Sequence, residues 1–81
     1  MEKKEILKRI QEIFIEILDN DSIELAENTT ANDIDEWDSL SHVQIIIAIQ
    51  KELNVKFTAA EMSTFKNIDE MINCIISKLN G

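Results

Sequence analysis

Proline and tyrosine are absent from this 81-residue sequence, and its only glycine is the final residue, Gly81. Turn-rich β folds use proline, glycine and β-prone aromatic residues, so these absences argue against a sheet. Apolar residues nevertheless make up 44% of the chain. A chain of this length supports one hydrophobic core. We therefore predict an all-α fold that forms a single domain over residues 1–81.

A disulfide framework within one chain is excluded because Cys74 is the only cysteine, and a lone cysteine fits a reducing compartment. The sequence also lacks an apolar run long enough for a signal peptide or a membrane span. We therefore expect a soluble, cytoplasmic protein that does not insert into membranes and acts as a monomer. Cys74 itself is interpreted as a core residue rather than a reactive thiol.

Residues suited to a metal site are also scarce. A calcium loop that began at Asp19 would need glycine at its sixth position and glutamate at its twelfth, where the chain has Glu24 and Thr30. Zinc needs more ligands than Cys74 and His42 provide. No metal site is predicted.

Basic residues are missing from the segment 19–38, which carries eight acids, while the rest of the chain has eight acids and eight bases. The eight are Asp19, Asp21, Glu24, Glu27, Asp33, Asp35, Glu36 and Asp38. Such a field repels nucleic acids and anionic membranes and attracts basic protein surfaces. We expect protein partners with basic docking faces and no nucleic acid. The alternative is a solvated acidic loop that serves solubility.

Apolar periodicity predicts a first helix from Glu2 to Leu18 and a last helix that ends at Asn80-Gly81. The last helix is expected to bury Ile68, Met71, Ile72, Ile75, Ile76 and Leu79. The segment from Asp19 to Trp37 predicts a long loop, because polar turn-forming residues dominate it. Its expected anchors on the core are Ile23, Leu25, Ile34 and Trp37. Thr58-Ala59-Ala60-Glu61 is a capping-box pattern that predicts a short third helix, and Asn67-Ile68-Asp69-Glu70 resembles one that opens the last.

The second helix is predicted to begin within Trp37-Asp38-Ser39-Leu40, with Asp38 as its N-cap and Ser39 as its first residue. The alternative is a helix that starts at Asp35 and has Asp38 in its first turn. Helical spacing places Ile45, Ile46, Ile49 and Leu53 on a core-facing side. Leu40, Val43 and Ile47 widen the apolar arc to about 220°, beyond the roughly 100° that a surface helix needs. This surplus predicts either a docking patch beside Ser39 or a central helix covered by its neighbours.

Catalysis by the chain itself is not expected, although His42 lies three residues after Ser39 on the predicted helix. A serine hydrolase would also need a glycine-framed nucleophile turn and an oxyanion loop, and the sequence has neither. We assign no catalytic residue, and His42 is interpreted as a partly exposed helix residue.

Asp38-Ser39-Leu40, followed by Val43 and by the apolar helix that closes with Ala48-Ile49-Gln50-Lys51-Glu52-Leu53, resembles the acyl carrier proteins. The resemblance covers nearly the whole chain, including size, charge and helix order. It implies that a phosphopantetheinyl transferase attaches 4′-phosphopantetheine to Ser39, and that the terminal thiol then carries acyl groups as thioesters. The implied partners are this transferase and the enzymes that load and transfer the acyl group.

The resemblance also implies roles for other side chains. Candidates to line an acyl pocket are Ile45, Ile49, Leu53, Ile68 and Ile72. Candidates for partner binding are Asp35, Glu36, Asp38, Leu40, Val43, Ile47 and Glu61.

The second helix departs from the carriers of fatty acid synthesis, which usually hold glutamates along it. This chain has Ser41, His42, Gln44 and Gln50 there. A fatty acid pathway and a specialised lipid or polyketide-like pathway both remain open. The sequence is also compatible with a peptidyl or aminoacyl carrier, and with an acidic helical interaction module whose apolar patch binds a partner helix without a prosthetic group.

Overall fold

A computed structural model describes residues 2–80, which form four α-helices and, within that range, no strand. The helices are α1 (Lys3–Leu18), α2 (Ser39–Leu53), α3 (Ala59–Thr64) and α4 (Ile68–Asn80). The predicted all-α fold, with three longer helices and a short third, is therefore confirmed. A single 3₁₀ turn, Ala31–Asp33, interrupts the loop between α1 and α2. Gly81, part of the predicted stop of the last helix, lies outside the described residues.

Both α1 and α2 end at a residue in the left-handed conformation, although neither residue is glycine. Asp19 has a φ of 52° and donates its N–H to the Ile15 carbonyl, and Asn54 has a φ of 55° and donates to the Gln50 carbonyl. Asparagine and aspartate tolerate this region better than other residues with a Cβ. They therefore supply helix stops in a chain that has almost no glycine.

The core lies where α1 packs against α2 and α4. Its fully buried side chains are Ile6, Ile10, Phe14, Ile45, Ile46, Ile49, Ile68, Met71, Ile72 and Ile75. The four loop anchors predicted from the sequence are all buried in the same cluster. The predicted burial of Leu79 is wrong, because this side chain is 38% exposed in the last turn of α4. Ile76, assigned to the same buried face, is half-buried.

The long loop also closes the beginning of α4. The N–H of Ile68 donates to the Thr29 carbonyl at 3.0 Å, and the N–H of Asp69 donates to the Glu27 carbonyl at 2.8 Å. These bonds satisfy N–H groups that have no partner inside the helix. Lys3 forms ion pairs with both Glu27 and Asp69, so the loop is tied to the first turns of α1 and α4.

Across residues 2–80, no helix has both the length and the apolar character that crossing a membrane requires.

Candidate functional site

Ser39 is the first residue of α2, and its side chain is exposed. The preceding residue, Asp38, is the N-cap as predicted, and its carboxylate accepts from the backbone N–H of Ser41 at 2.9 Å. That hydrogen bond lowers the pKa of Asp38, which keeps the carboxylate charged at neutral pH. The chain therefore presents a serine hydroxyl at the positive end of a helix with a fixed anion beside it.

Ser41 has a different role from Ser39 because it completes the cap. Its hydroxyl oxygen accepts from the Asp38 N–H at 2.8 Å, and the hydroxyl donates to the Glu36 carbonyl at 3.0 Å. Ser41 is buried, with 7% of its surface exposed. The sequence interpretation did not identify this capping role, although the spacing Asp-x-x-Ser carries the same reciprocal pattern as a capping box.

His42 joins the loop before α2 to α3. The indole Nε1–H of Trp37 donates to His42 Nδ1 at 3.1 Å, and His42 Nε2 lies 2.9 Å from the Met62 carbonyl. An indole only donates and a carbonyl only accepts, so both bonds are satisfied by the neutral ring with its proton on Nε2. Both ring nitrogens are therefore engaged away from Ser39. The interpretation of His42 as a partly exposed residue missed this bridge.

A cleft of about 320 Å³ opens beside Ser39, between the end of the long loop and α3. Trp37, Met62 and Phe65 supply apolar walls, and Asp38 and Ser63 supply polar groups. The volume lies at the small end of the range of about 300 to 1,000 Å³ that is typical of small-molecule pockets. Ser39 thus lies at the edge of a groove rather than on a flat surface.

Leu40, Val43 and Ile47 lie on the outer side of α2 and form what we call the α2 patch. Their exposed fractions are 71%, 47% and 45%, whereas Ile49 is 0% exposed. The wide apolar arc predicted either a surface patch or a covered central helix, and the structure supports the surface patch. Gln44, which lies between the patch residues in the sequence, is exposed and carries no charge.

The acids that precede Ser39 are at the surface. Asp35, Glu36 and Asp38 are exposed, and Glu36 accepts from the side-chain amide of Asn20 at 2.9 Å. The α2 patch and these acids therefore lie on either side of Ser39 along the chain, apolar after it and anionic before it.

Glu61, also predicted to bind partners, is half-buried, and its carboxylate is engaged within the chain. It accepts from the Thr58 N–H at 2.8 Å and pairs with Lys78 Nζ at 2.9 Å. These contacts hold the pKa of Glu61 at about 2. The Cys74 thiol lies 3.7 Å from the same carboxylate, and burial raises the pKa of this thiol. Glu61 therefore links α3 to α4, and the raised pKa of Cys74 disfavours its thiolate form.

The five acyl-pocket candidates come from α2 and α4 and belong to the one buried core cluster, and none is more than 6% exposed. They are Ile45, Ile49, Leu53, Ile68 and Ile72. The structure brings these residues together as packed core, separate from the open cleft beside Ser39.

Comparison with known proteins agrees with the geometry. The family model described as a phosphopantetheine attachment site matches residues 8–75. An acyl carrier protein from Cyanidium caldarium is 33% identical over 80 residues, which span 98% of this chain and 92% of that protein.

Two solved structures have a similar fold. The solution structure of a holo acyl carrier protein from Geobacter metallireducens is 37% identical, with a TM-score of 0.85 over 93% of this chain and 86% of that one. The crystal structure of an acyl carrier protein from Thermotoga maritima has a TM-score of 0.87 over 99% of this chain and 93% of that one. At 22% identity, the second similarity supports the fold alone.

Proposed function

This chain belongs to the acyl carrier protein family, and we propose that Ser39 is the residue to which its covalent 4′-phosphopantetheine is attached. Members of this family are carriers and not enzymes. They are modified by a phosphopantetheinyl transferase and exchange acyl groups with partner enzymes. The observation that carries the assignment is the exposed Ser39 hydroxyl at the first position of α2.

The first turn of α2 suits a phosphodiester in one respect and opposes it in another. Free N–H groups and the helix dipole favour an anion at this end. Asp38 and the neighbouring acids Asp35 and Glu36 repel it. A covalent bond holds the anion there regardless of this repulsion, which is why attachment rather than reversible binding fits the site.

The surroundings of Ser39 also fit the attached group. The pantetheine arm contains amides and an apolar dimethyl segment, and the cleft beside Ser39 offers both apolar walls and polar groups. When bound, the group supplies the thiol that carries an acyl chain as a thioester. The chain's own residues anchor the arm through the Ser39 oxygen and provide the groove at its origin.

We propose that the carried acyl group is sheltered by the core when α2 and α4 separate slightly. The support is that the acyl-pocket candidates form one continuous apolar cluster beneath α2. The exchanges belong to a fatty acid pathway or to a specialised lipid or polyketide-like pathway in the cytoplasm. The chain acts there as a monomer formed by one domain over residues 1–81.

Partner enzymes are proposed to contact both sides of Ser39. Basic groups on the partner would meet Asp35, Glu36 and Asp38, while an apolar surface would cover the α2 patch. Glu61 is the least accessible of the proposed contacts because its carboxylate is already paired with Lys78. It would contribute by fixing α3 or by exchanging Lys78 for a partner cation.

Incubation with coenzyme A and a broad-specificity phosphopantetheinyl transferase tests the assignment. The Ser39 oxygen attacks the phosphorus that bears pantetheine, 3′,5′-ADP leaves, and the hydroxyl proton passes to the transferase or to water. One phosphopantetheine should add to the intact mass of the wild-type chain and of Ser41→Ala, and none to Ser39→Ala. A wild-type mass that stays unchanged with several transferases would reject the proposal and favour the interaction module without a prosthetic group.

A further inference from the structure

We propose that His42 is a positioning residue for the modification of Ser39, because its ring ties the segment before α2 to α3 and so fixes the turn that carries the serine. This inference rests on the proposed attachment at Ser39. It assigns His42 no contact with the reacting atoms.

Every aromatic side chain of the protein belongs to one line of ring contacts in which His42 is the central member. Phe14 of α1 meets Trp37 edge-on at 4.9 Å, and Trp37 lies 5.9 Å from the His42 ring. His42 then meets Phe65 at 6.4 Å, and Phe65 meets Phe57 at 5.6 Å. The line runs from α1 past the first turn of α2 to Phe65 at the end of α3, and it closes on Phe57 in the connector before α3.

Within this line, hydrogen bonds as well as ring packing fix the orientation of the His42 side chain. One nitrogen accepts from the Trp37 indole and the other bonds the Met62 carbonyl, so the ring has one allowed tautomer and one allowed orientation. The indole is buried, with Trp37 6% exposed. Loss of its acceptor would leave a buried donor without a partner, which is unfavourable.

Ser39 lies within the segment that these bonds fix. Trp37 precedes it by two residues, His42 follows it by three, and all three residues line the same cleft. Release of either ring bond would let the start of α2 move relative to Met62 on the opposite wall. A displacement of about 1 Å of a reacting group can cost roughly 100-fold in rate, so a residue that does not touch the reaction can still limit it.

The test separates the two bonds by substitution. In His42→Asn, the amide reaches the Nδ1 position and can accept from Trp37 but does not reach Met62. In His42→Gln, the amide reaches the Nε2 position and can donate to Met62 but leaves Trp37 without an acceptor. His42→Leu removes both bonds, and Lys51→Gln, exposed in the last turn of α2, is the matched control.

The rate of phosphopantetheine transfer should be measured against carrier concentration for each folded variant. We expect kcat to fall at least about tenfold in His42→Leu and less in His42→Asn and His42→Gln, with KM unchanged and Lys51→Gln equal to wild type. A loss of partner affinity would instead raise KM. Wild-type kcat in the three His42 variants would overturn the inference, and if His42→Leu does not fold, wild-type kcat in the Asn and Gln variants alone would do so.

A spectroscopic measurement tests the bonds themselves. The chain has one tryptophan and one histidine, so a nitrogen–nitrogen coupling across the hydrogen bond between Trp37 Nε1 and His42 Nδ1 can be assigned without ambiguity. We expect that coupling, with the proton of His42 on Nε2. A proton on Nδ1, or no coupling in the folded protein, would overturn the positioning role. If the wild-type chain gains no mass, both the attachment at Ser39 and the role of His42 are rejected. If the wild-type chain is modified and the His42 variants keep the wild-type kcat, the role of His42 alone is rejected.

Discussion

The first turn of α2 contains two serines, Ser39 and Ser41, which differ in hydrogen bonding and in exposure to solvent. The Ser41 hydroxyl is hydrogen-bonded to the backbone of Asp38 and Glu36, and the residue is buried, so the hydroxyl is not accessible from solvent. Ser39 is exposed and follows the N-cap directly. This difference predicts that a transferase modifies Ser39 and leaves Ser41 unmodified.

Part of this arrangement is local and could be predicted from the sequence. Asp38 as an N-cap and Thr58 with Glu61 as a capping box involve residues at most three apart. The His42 bridge could not be predicted in this way, because Met62 is 20 positions away and its partner atom is a backbone carbonyl. No residue type at position 62 would have signalled that contact.

Among the carboxylates of the described residues, Glu61 has the most strongly lowered pKa. Its pKa falls from an ordinary 4.5 to about 2 because the Thr58 N–H and then Lys78 hydrogen-bond to the charged form. A depressed pKa in the folded state contributes stability that is fully present above the unfolded value of about 4.5 and is lost as pH falls toward 2. The bond between α3 and α4 should therefore weaken in acid.

Glu61→Gln tests this at the residue scale. We expect the variant to be less stable than wild type at pH 7, and the difference between them to shrink as pH falls from about 5 toward about 2. The free energy of unfolding in urea across this range measures it, with exposed Glu16→Gln as control. A difference that stays constant down to the acid limit would mean that Glu61 is not stabilised by these hydrogen bonds.

Helix α2 has two apolar sides, one buried in the core and one exposed. The inner side, with Ile45 and Ile49, is completely buried, while the α2 patch stays in contact with water. The sequence predicted the core-facing side of this apolar arc but left open whether the surplus residues were exposed or covered. Which part of a helix is covered depends on where its neighbours lie. Helix α1 packs against α2, and the inner residues of α2 are buried in the shared core.

The variants Ile47→Ala and Ile49→Ala compare the exposed side of α2 with its buried side. Ile49→Ala empties a fully buried position and should cost about 2–5 kcal/mol of unfolding free energy. Ile47→Ala should cost less than about 1 kcal/mol but slow modification of Ser39, because an exposed apolar side chain is buried only in the complex. Thermal denaturation and a modification time course measure the two effects. Equal destabilisation with normal modification of Ile47→Ala would end the idea of an α2 docking patch.

Helical periodicity does not show which side chains are covered by neighbouring elements, and this explains the wrong assignment of Leu79. Periodicity gives the direction of a side chain on its own helix, and Leu79 continues the apolar side of α4 to its last turn. Burial also needs a second element that extends equally far, and the side chain is left 38% exposed there. A periodic pattern does not show whether an element distant in the sequence covers a given side chain.

At the scale of the whole molecule, the net charge of −8 arises in one segment. Within residues 2–80, Glu27, through Lys3, is the one acid of segment 19–38 that forms an ion pair. The others that are bonded, such as Asp33 and Glu36, accept from neutral groups. The folded protein therefore holds a concentrated negative field close to Ser39, which favours encounter with basic surfaces but repels itself.

Moderate salt should therefore raise the melting temperature. Self-repulsion among the acids is screened over about 10 Å at 0.1 M salt, and this gain should exceed the loss from exposed ion pairs, worth about 0–1 kcal/mol each. Melting in increasing sodium chloride measures the effect, and the double variant Asp21→Asn with Glu24→Gln should show a shallower rise. A wild-type melting temperature that is flat or falls with salt would show that the acids do not strain the fold.

Fragmentation of the modified wild-type chain in a mass spectrometer shows which serine carries the phosphopantetheine, because Ser39 and Ser41 are separated only by Leu40. Fragment ions that contain the N-terminal part of the chain should gain the added mass from Ser39 onward, and ions that begin at Leu40 should lack it. An added mass that first occurs at Ser41, or at any other residue, would contradict the assignment of Ser39 as the site that carries the acyl thioester.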